Sequence, residues 1–182
     1  MDSLYAFGID AGVDTLTSWM RAVSLCAPRI RGGQALLIGE TDPTLAQSLM
    51  LWNSTLLAQT ELREREQTAL PPVFAAACVW GRRDAVKVTL ERIGALGGGD
   101  LSAIETTEGM LPSVLGPVPI PQPRTIDSRE LEGTADRVKA VVRVPQSRRG
   151  ELALRLRSAS ARHVAAREPG ELRFQLDPKE RI

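Results

Sequence analysis

The chain has 182 residues, of which 43% are hydrophobic and 25% charged, and its formal net charge is +1. This is enough chain for one domain plus an appendage, and the composition is that of an ordinary soluble protein. The sequence has no signal-peptide pattern and no apolar run near the roughly 20 residues of a membrane span, so we expect a cytoplasmic location.

The first part of the chain has the pattern of an unfinished α/β domain. Residues 11–25 carry apolar side chains at helical spacing, and the short apolar stretch 34–38 predicts a strand after the turn at Gly32 and Gly33. A single strand between helices leaves both of its edges unpaired. We therefore interpret this part as the last piece of a larger α/β domain whose earlier strands are absent.

A long helical stretch follows over residues 43–65. It is predicted to break near Asn53 and Ser54, where Ser54 could cap a second helix. Pro71 and Pro72 end the helical pattern.

The second half of the chain predicts one complete small domain. Apolar or alternating runs predict strands at 73–79, 113–118, 137–144 and 172–176, and helical spacing predicts helices at 84–96 and 151–164. The order strand, helix, strand, strand, helix, strand is that of a ferredoxin-like βαββαβ domain of the α+β class.

Few residues suggest chemistry. His163, the only histidine, lies near a predicted helix end and is expected to interact with the helix dipole as a C-terminal cap. The glycines at 97–99 follow a helix, so they predict a helix stop and not a phosphate-binding loop. Cys26 and Cys78 are far apart and in no metal-ligand spacing, so we expect two buried thiols. The sequence predicts no enzymatic activity for this chain by itself.

Residues 137–162 are strongly basic. They include the single acid Glu151 and eight cations: Arg137, Lys139, Arg143, Arg148, Arg149, Arg155, Arg157 and Arg162. This excess indicates an anionic partner, although a basic helix face can also serve solubility alone. The predicted strands lack the aromatic pairs on which an RNA-recognition motif stacks bases, so we expect nucleic acid to be held through its backbone.

Four short motifs in the second half of the chain together resemble those of a known protein family. In order they are Leu-Pro-Pro at 70–72, Leu-Gly-Pro-Val-Pro at 115–119, Val-Arg-Val-Pro-Gln-Ser-Arg-Arg at 142–149 and Leu-Asp-Pro at 176–178. From residue 34 onward the chain resembles the C-terminal part of the primosomal protein N′ (PriA) family. The resemblance implies a ferredoxin-like core and a role in replication restart, in which abandoned forks are recognised and primosome proteins assemble to reload the replicative helicase.

The resemblance also implies a domain division. Residues 1–52 would be the terminal piece of a RecA-like second helicase lobe, 53–70 a connecting helix, and 71–182 a nucleoid-associated DNA- and partner-binding domain with a proline-rich connector at 117–133. The family's ATP and two zinc ions bind in regions that this sequence does not include. Residues 22–29 (Ala-Val-Ser-Leu-Cys-Ala-Pro-Arg) stand where helicase-active members have Gln-Val-Ala-Gly-Arg-Ala-Gly-Arg. This departure resembles the degenerate branch that is predicted not to unwind DNA.

The resemblance assigns two candidate sites. An arginine near the start of the last helix helps the family to bind the acidic C-terminal tail of the single-strand DNA-binding protein. Arg148 or Arg149 matches that position, and we expect the two together to form the tail site. Phosphate contacts with forked or branched DNA are expected from Lys139, Arg143, Arg155 and Arg157.

Two other interpretations remain open. The chain could be a ferredoxin-like regulatory or assembly module that dimerises or binds a small metabolite, because this fold hosts many unrelated functions. It could also be a nonfunctional remnant, in which the strand at 34–38 is an exposed edge.

Overall fold

The computed structural model describes residues 10–120 and 136–178. They form two compact units, the first ending at Glu64 and the second spanning Arg65–Pro178. Helices and an antiparallel sheet occur together, which confirms the predicted α+β class. The predicted connector lies outside the described residues from position 121 to position 133.

The first unit is helical. It contains α1 (Ala11–Ser24), a 3₁₀ turn (Arg29–Arg31), α2 (Pro43–Met50) and most of α3 (Thr55–Gln67). Leu16, Leu45 and Leu57, one from each helix, form its small apolar core. The Asp42 carboxylate starts α2 by accepting hydrogen bonds from the backbone N–H groups of Thr44 (2.8 Å) and Leu45 (3.1 Å).

The predicted helix break is confirmed, because α2 and α3 are separated by residues 51–54. The side chain that bonds the start of α3 is Asn53, whose Oδ1 accepts from the N–H of Thr55 at 3.0 Å. Ser54 was the predicted cap.

The predicted strand at 34–38 is wrong. These residues form no regular structure, and Leu36 and Ile38 are 84% and 74% exposed. A strand is stable only when a neighbour takes up its backbone N–H and C=O groups, and the first unit contains no other strand in its described residues. Cys26, just after the end of α1, is also exposed, so its predicted burial is wrong.

The second unit contains one four-stranded sheet. Its elements are β1 (Phe74–Arg82), α4 (Arg83–Arg92), β2 (Ala103–Thr106), β3 (Gly109–Pro112), β4 (Val114–Pro119), β5 (Arg137–Pro145), α5 (Arg149–Ala165) and β6 (Leu172–Leu176). The strand order is β4-β5-β1-β6, and all neighbours are antiparallel. The hairpin formed by β2 and β3 was not predicted; without it, the element order is the predicted one.

The main core lies between one face of this sheet and the helices α4 and α5. The sheet contributes every second residue of β1 and β5, as the alternation predicted. The buried residues are Ala75, Ala77, Val79, Val138, Ala140, Val142 and Val144 from the sheet, and Val86, Leu90, Leu152, Leu156 and Ala159 from the helices.

The opposite side of the sheet, called here the second face, carries the alternate residues. At one end it is covered by a small apolar cluster of Ala69, Phe74 and Ile104. In the middle Cys78 is buried, which confirms the prediction for this thiol. At the other end Trp80 and Lys139 are only half-buried. The second face is therefore closed at one end and accessible at the other.

The C-terminal ends of α4 and α5 differ from the predictions made for them. Helix α4 stops at Arg92, before the predicted glycine run, and Gly94 continues the chain with a φ of +78°. His163 lies in the last turn of α5, with Nδ1 3.1 Å from the Glu168 carboxylate and Nε2 2.9 Å from the Gly170 carbonyl. It thus joins the helix to the segment before β6, where the sequence predicted a cap.

No helix within residues 10–120 and 136–178 combines the length and apolarity needed to cross a bilayer.

Candidate functional site

Two of the predicted site residues, Arg148 and Arg155, share one carboxylate from a distant loop. The Asp100 carboxylate accepts from Arg148 (2.6 Å) and from both terminal nitrogens of Arg155 (2.7 Å each). Arg148 also donates to the Asp100 carbonyl at 2.8 Å. These bonds tie the start of α5 to the loop after α4.

Glu151 completes this arginine cluster, which consists of Asp100, Arg148, Glu151 and Arg155. Its carboxylate accepts from Arg148 at 2.7 Å and 2.9 Å and from Arg155 at 2.5 Å. Because two guanidinium groups meet two carboxylates, the cluster carries no net charge. Arg155 additionally donates to the Ile93 carbonyl at 2.8 Å.

The glycine-rich loop brings Asp100 to this position. The chain folds back on itself there, since the N–H of Leu101 donates to the Gly94 carbonyl at 2.9 Å. A Cβ at Gly99 would lie 2.5 Å from that carbonyl oxygen, so only glycine fits the close approach. The glycine run, which lies beyond the end of α4 at Arg92, thus places an acid beside α5.

The cluster shifts the pKa values of its members. Hydrogen bonds from Arg155 and then Arg148 hold the pKa of the Asp100 carboxyl far below its usual range. Hydrogen bonds from Arg148 also lower the pKa of Glu151. All four groups are therefore charged across the physiological pH range.

Arg149 is the more accessible of the two predicted tail-binding residues. Its side chain is 58% exposed, against 33% for Arg148. One terminal nitrogen lies 2.7 Å from the Asp177 carboxylate at the end of β6. A 3₁₀ turn (Gln146–Arg148) leads directly into α5, and the backbone N–H of Arg149 donates to the Gln146 carbonyl, so Arg149 offers its side chain and not its N–H to an anion.

The structure corrects the expectation for Arg143. Its side chain is only 4% exposed and lies on the covered end of the second face. Its two terminal nitrogens donate to the backbone carbonyls of Thr68 and Pro112, the latter at 2.6 Å. Burial leaves this guanidinium no surface for a phosphate, so its role is to hold the covering segments on the sheet.

Lys139 and Arg157 are the phosphate candidates that keep free charges. Neither forms an ion pair with a residue in the described ranges. Lys139 lies on the second face of the sheet, whereas Arg157 is exposed on α5, which packs on the other face. The structure therefore does not bring the predicted DNA contacts together on one surface.

The sequence analysis missed two residues, Asp100 in the arginine cluster and Trp80 on the sheet. Asp100 lies 48 residues before Arg148, and no local pattern connects them. Trp80 follows Val79 directly, so alternation alone could have placed it on the second face. Among the described residues, no group of three or more His, Cys, Asp or Glu side chains is arranged to hold a metal ion.

Comparison with known proteins identifies the family. Residues 66–179, which include the whole sheet and both of its helices, match the family described as the primosomal protein N C-terminal domain. The chain belongs to this family.

Related proteins of the same family extend the similarity beyond that domain. The probable replication restart protein PriA of Mycobacterium leprae is 31% identical over 175 residues, which are 92% of this chain and 24% of that protein. The Mycobacterium tuberculosis protein of the same description is 30% identical over 172 residues, which are 92% of this chain and 25% of that protein. The chain spans about a quarter of the length of these relatives.

The first prediction concerns Asp100. Its lowered pKa means that the ionised carboxylate stabilises the fold above the unfolded-state pKa of about 4, and that this contribution disappears as pH falls through the folded-state value. We expect Asp100→Asn to lower the thermal midpoint at pH 7, with the difference from the parent chain shrinking below about pH 4. Glu108→Gln, at an exposed hairpin position, is the control and should leave the midpoint unchanged. An equal loss at pH 7 and pH 3 would contradict the assignment.

The second prediction concerns Arg143. Replacing it with Met keeps the apolar stem but leaves the Thr68 and Pro112 carbonyls without their donors. Urea unfolding should show a loss of about 1 to 3 kcal/mol in the free energy of unfolding. A variant as stable as the parent chain would contradict the structural role.

Proposed function

We propose that this chain acts in replication restart as the DNA- and partner-binding C-terminal part of a PriA-type protein. Family membership and the name of the mycobacterial relatives support this proposal. The single structural observation that carries it is the exposed guanidinium of Arg149 at the start of α5, the more accessible of the two arginines there.

Arg149 is proposed to bind the acidic tail of the single-strand DNA-binding protein. A guanidinium binds a carboxylate through two parallel hydrogen bonds, and the Arg149 side chain stays 58% exposed while it pairs with Asp177. Arg148 is the supporting residue, since its donors already bind Asp100 and Glu151. An incoming tail carboxylate would thus meet Arg149 first.

Lys139 and Arg157 are proposed to contact the phosphates of forked or branched DNA. Both are free of ion pairs in the described part of the chain, so their charges are available to release counterions from DNA. Arg155 is proposed to act indirectly, by holding the loop at Asp100 in place. The remaining partners would be primosome proteins, in a cytoplasmic, nucleoid-associated complex.

We also propose a fold for the second unit and an origin for residues 1–52. The strand order β4-β5-β1-β6 with antiparallel neighbours supports a ferredoxin-like second unit. We propose no catalytic role for this chain by itself and assign residues 1–52 to the end of a helicase lobe. Residues 22–29, which stand at its last motif, include the end of α1 and the exposed Cys26.

The alternative regulatory module would need an apolar accessible sheet face. The accessible end of the second face carries Trp80 and Val118 together with three cations, Lys139, Arg137 and Arg173, and these charges favour an anionic partner.

The third prediction tests the tail site. Arg149→Ala should weaken binding of a labelled acidic tail peptide by about 1 to 3 kcal/mol, because a charge-assisted bond is lost. Fluorescence anisotropy measures this affinity. Arg162→Ala removes the same charge from an exposed position thirteen residues along α5 and should leave peptide affinity unchanged. Equal losses for both variants would show only a general charge effect, and unchanged binding by Arg149→Ala would remove Arg149 from the site.

The fourth prediction tests the phosphate contacts. For duplex DNA, Lys139→Ala and Arg157→Ala should each lower the slope of log K against log salt by about 1, since each cation neutralises one phosphate. Arg143→Met, measured well below its melting temperature, loses a buried charge and should keep the parent slope. Parent-like slopes in Lys139→Ala and Arg157→Ala would contradict the assignment.

A further inference from the structure

We propose that the accessible end of the second face is a stacking site for one unpaired base of single-stranded DNA. Trp80 is the stacking residue, and Lys139 and Arg173 are the phosphate contacts on either side of it. This inference deepens the proposed function and rests on it, because it assumes that the chain binds DNA.

The strand register places these three residues in one row. Trp80 on the central strand β1 is directly opposite Lys139 on β5 and directly opposite Arg173 on β6. Residues that face each other across antiparallel strands have Cβ atoms about 5 Å apart. The indole is thus flanked on both sides by a cation at short range.

The row is accessible at the surface. Trp80 and Lys139 are half-buried, and the side chain of Arg173 is 68% exposed. Val118, the next residue of the row on β4, is 55% exposed. The apolar cluster around Phe74 and Ile104 covers only the other end of the face. An aromatic side chain therefore lies on the sheet with exposed apolar surface beside it.

The charge of this end is complementary to a phosphate backbone. It carries four cations, Arg82, Arg137, Lys139 and Arg173, which neighbour one another in the register. One carboxylate, Glu171, serves two of them, at 2.8 Å from Arg137 and 2.8 Å from Arg173. Arg82 lies 3.7 Å from Asp84, an exposed pair that screens it weakly. Lys139 has no ion pair within the described residues.

An aromatic ring among cations on an open sheet matches what single strands require. Every base has a π face that can stack on an aromatic ring without sequence preference, while nearby cations follow the phosphates. Double-stranded DNA keeps its bases paired and cannot use the indole. From the sequence we expected DNA to be held through its phosphate backbone alone. One tryptophan adds one position at which a base can stack.

The test compares variants of the full chain with a labelled oligo-dT strand and with a linear duplex. Trp80→Leu should weaken oligo-dT binding roughly 5- to 150-fold, the range of one base–aromatic stack, with the duplex affinity unchanged. Trp80→Phe, the matched control, should retain most of the affinity because it keeps an aromatic ring. The salt slope for oligo-dT should stay the same in Trp80→Leu and fall by about 0.7 in Arg173→Ala.

Several results would overturn the stacking site. They are unchanged oligo-dT affinity in Trp80→Leu, an equal loss in Trp80→Phe, or an equal loss for duplex DNA. Forked DNA binding by a parent chain that does not bind oligo-dT would also overturn it while leaving the proposed function intact. A parent chain that binds neither DNA would instead contradict the DNA-binding function itself.

Discussion

The second unit depends on the position of β1 at the centre of its sheet, paired along one edge with β5 and along the other with β6. Because strand side chains alternate, this pairing divides the unit into two environments. Ala75, Ala77 and Val79 close the main core against the helices, so no ligand can enter there. Binding therefore uses surfaces outside this core, among them the second face of the sheet, on which Trp80 lies.

Ion pairs neutralise some of the basic side chains and leave others free. The basic stretch 137–162 contains one acid in sequence, but the fold supplies Asp100, Glu171 and Asp177 from elsewhere. These acids engage Arg137, Arg148, Arg149 and Arg155, and Arg143 is buried. A basic sequence segment therefore becomes a folded surface with a few separated free charges. Lys139 on the second face and Arg157 on α5 are two such charges, so the free cations form separate regions in place of a single continuous basic patch.

Local periodicity was sufficient for most elements of the second unit, because burial of one face imposes a two-residue or 3.6-residue pattern. It failed wherever the stabilising partner is distant in sequence. The apolar stretch 34–38 has the pattern of a strand but no neighbouring strand to bond, and Arg143 looked like a surface cation until the Thr68 and Pro112 carbonyls were brought to it. The hairpin β2–β3 is short and mostly exposed, so it left no clear pattern. For the candidate site, the sequence named both Arg148 and Arg149, and their different exposure could not be predicted because it depends on Asp100 and Asp177, which are distant in sequence.

We propose that this chain binds the DNA structure found at stalled replication forks. Fluorescence anisotropy of labelled forked DNA and of a linear duplex of equal length, at near-physiological salt, tests it most directly. We expect tighter binding to the fork, because the fork offers both duplex phosphates for Lys139 and Arg157 and unpaired bases for Trp80. Equal affinity for the two DNAs, or no binding to either, would contradict it.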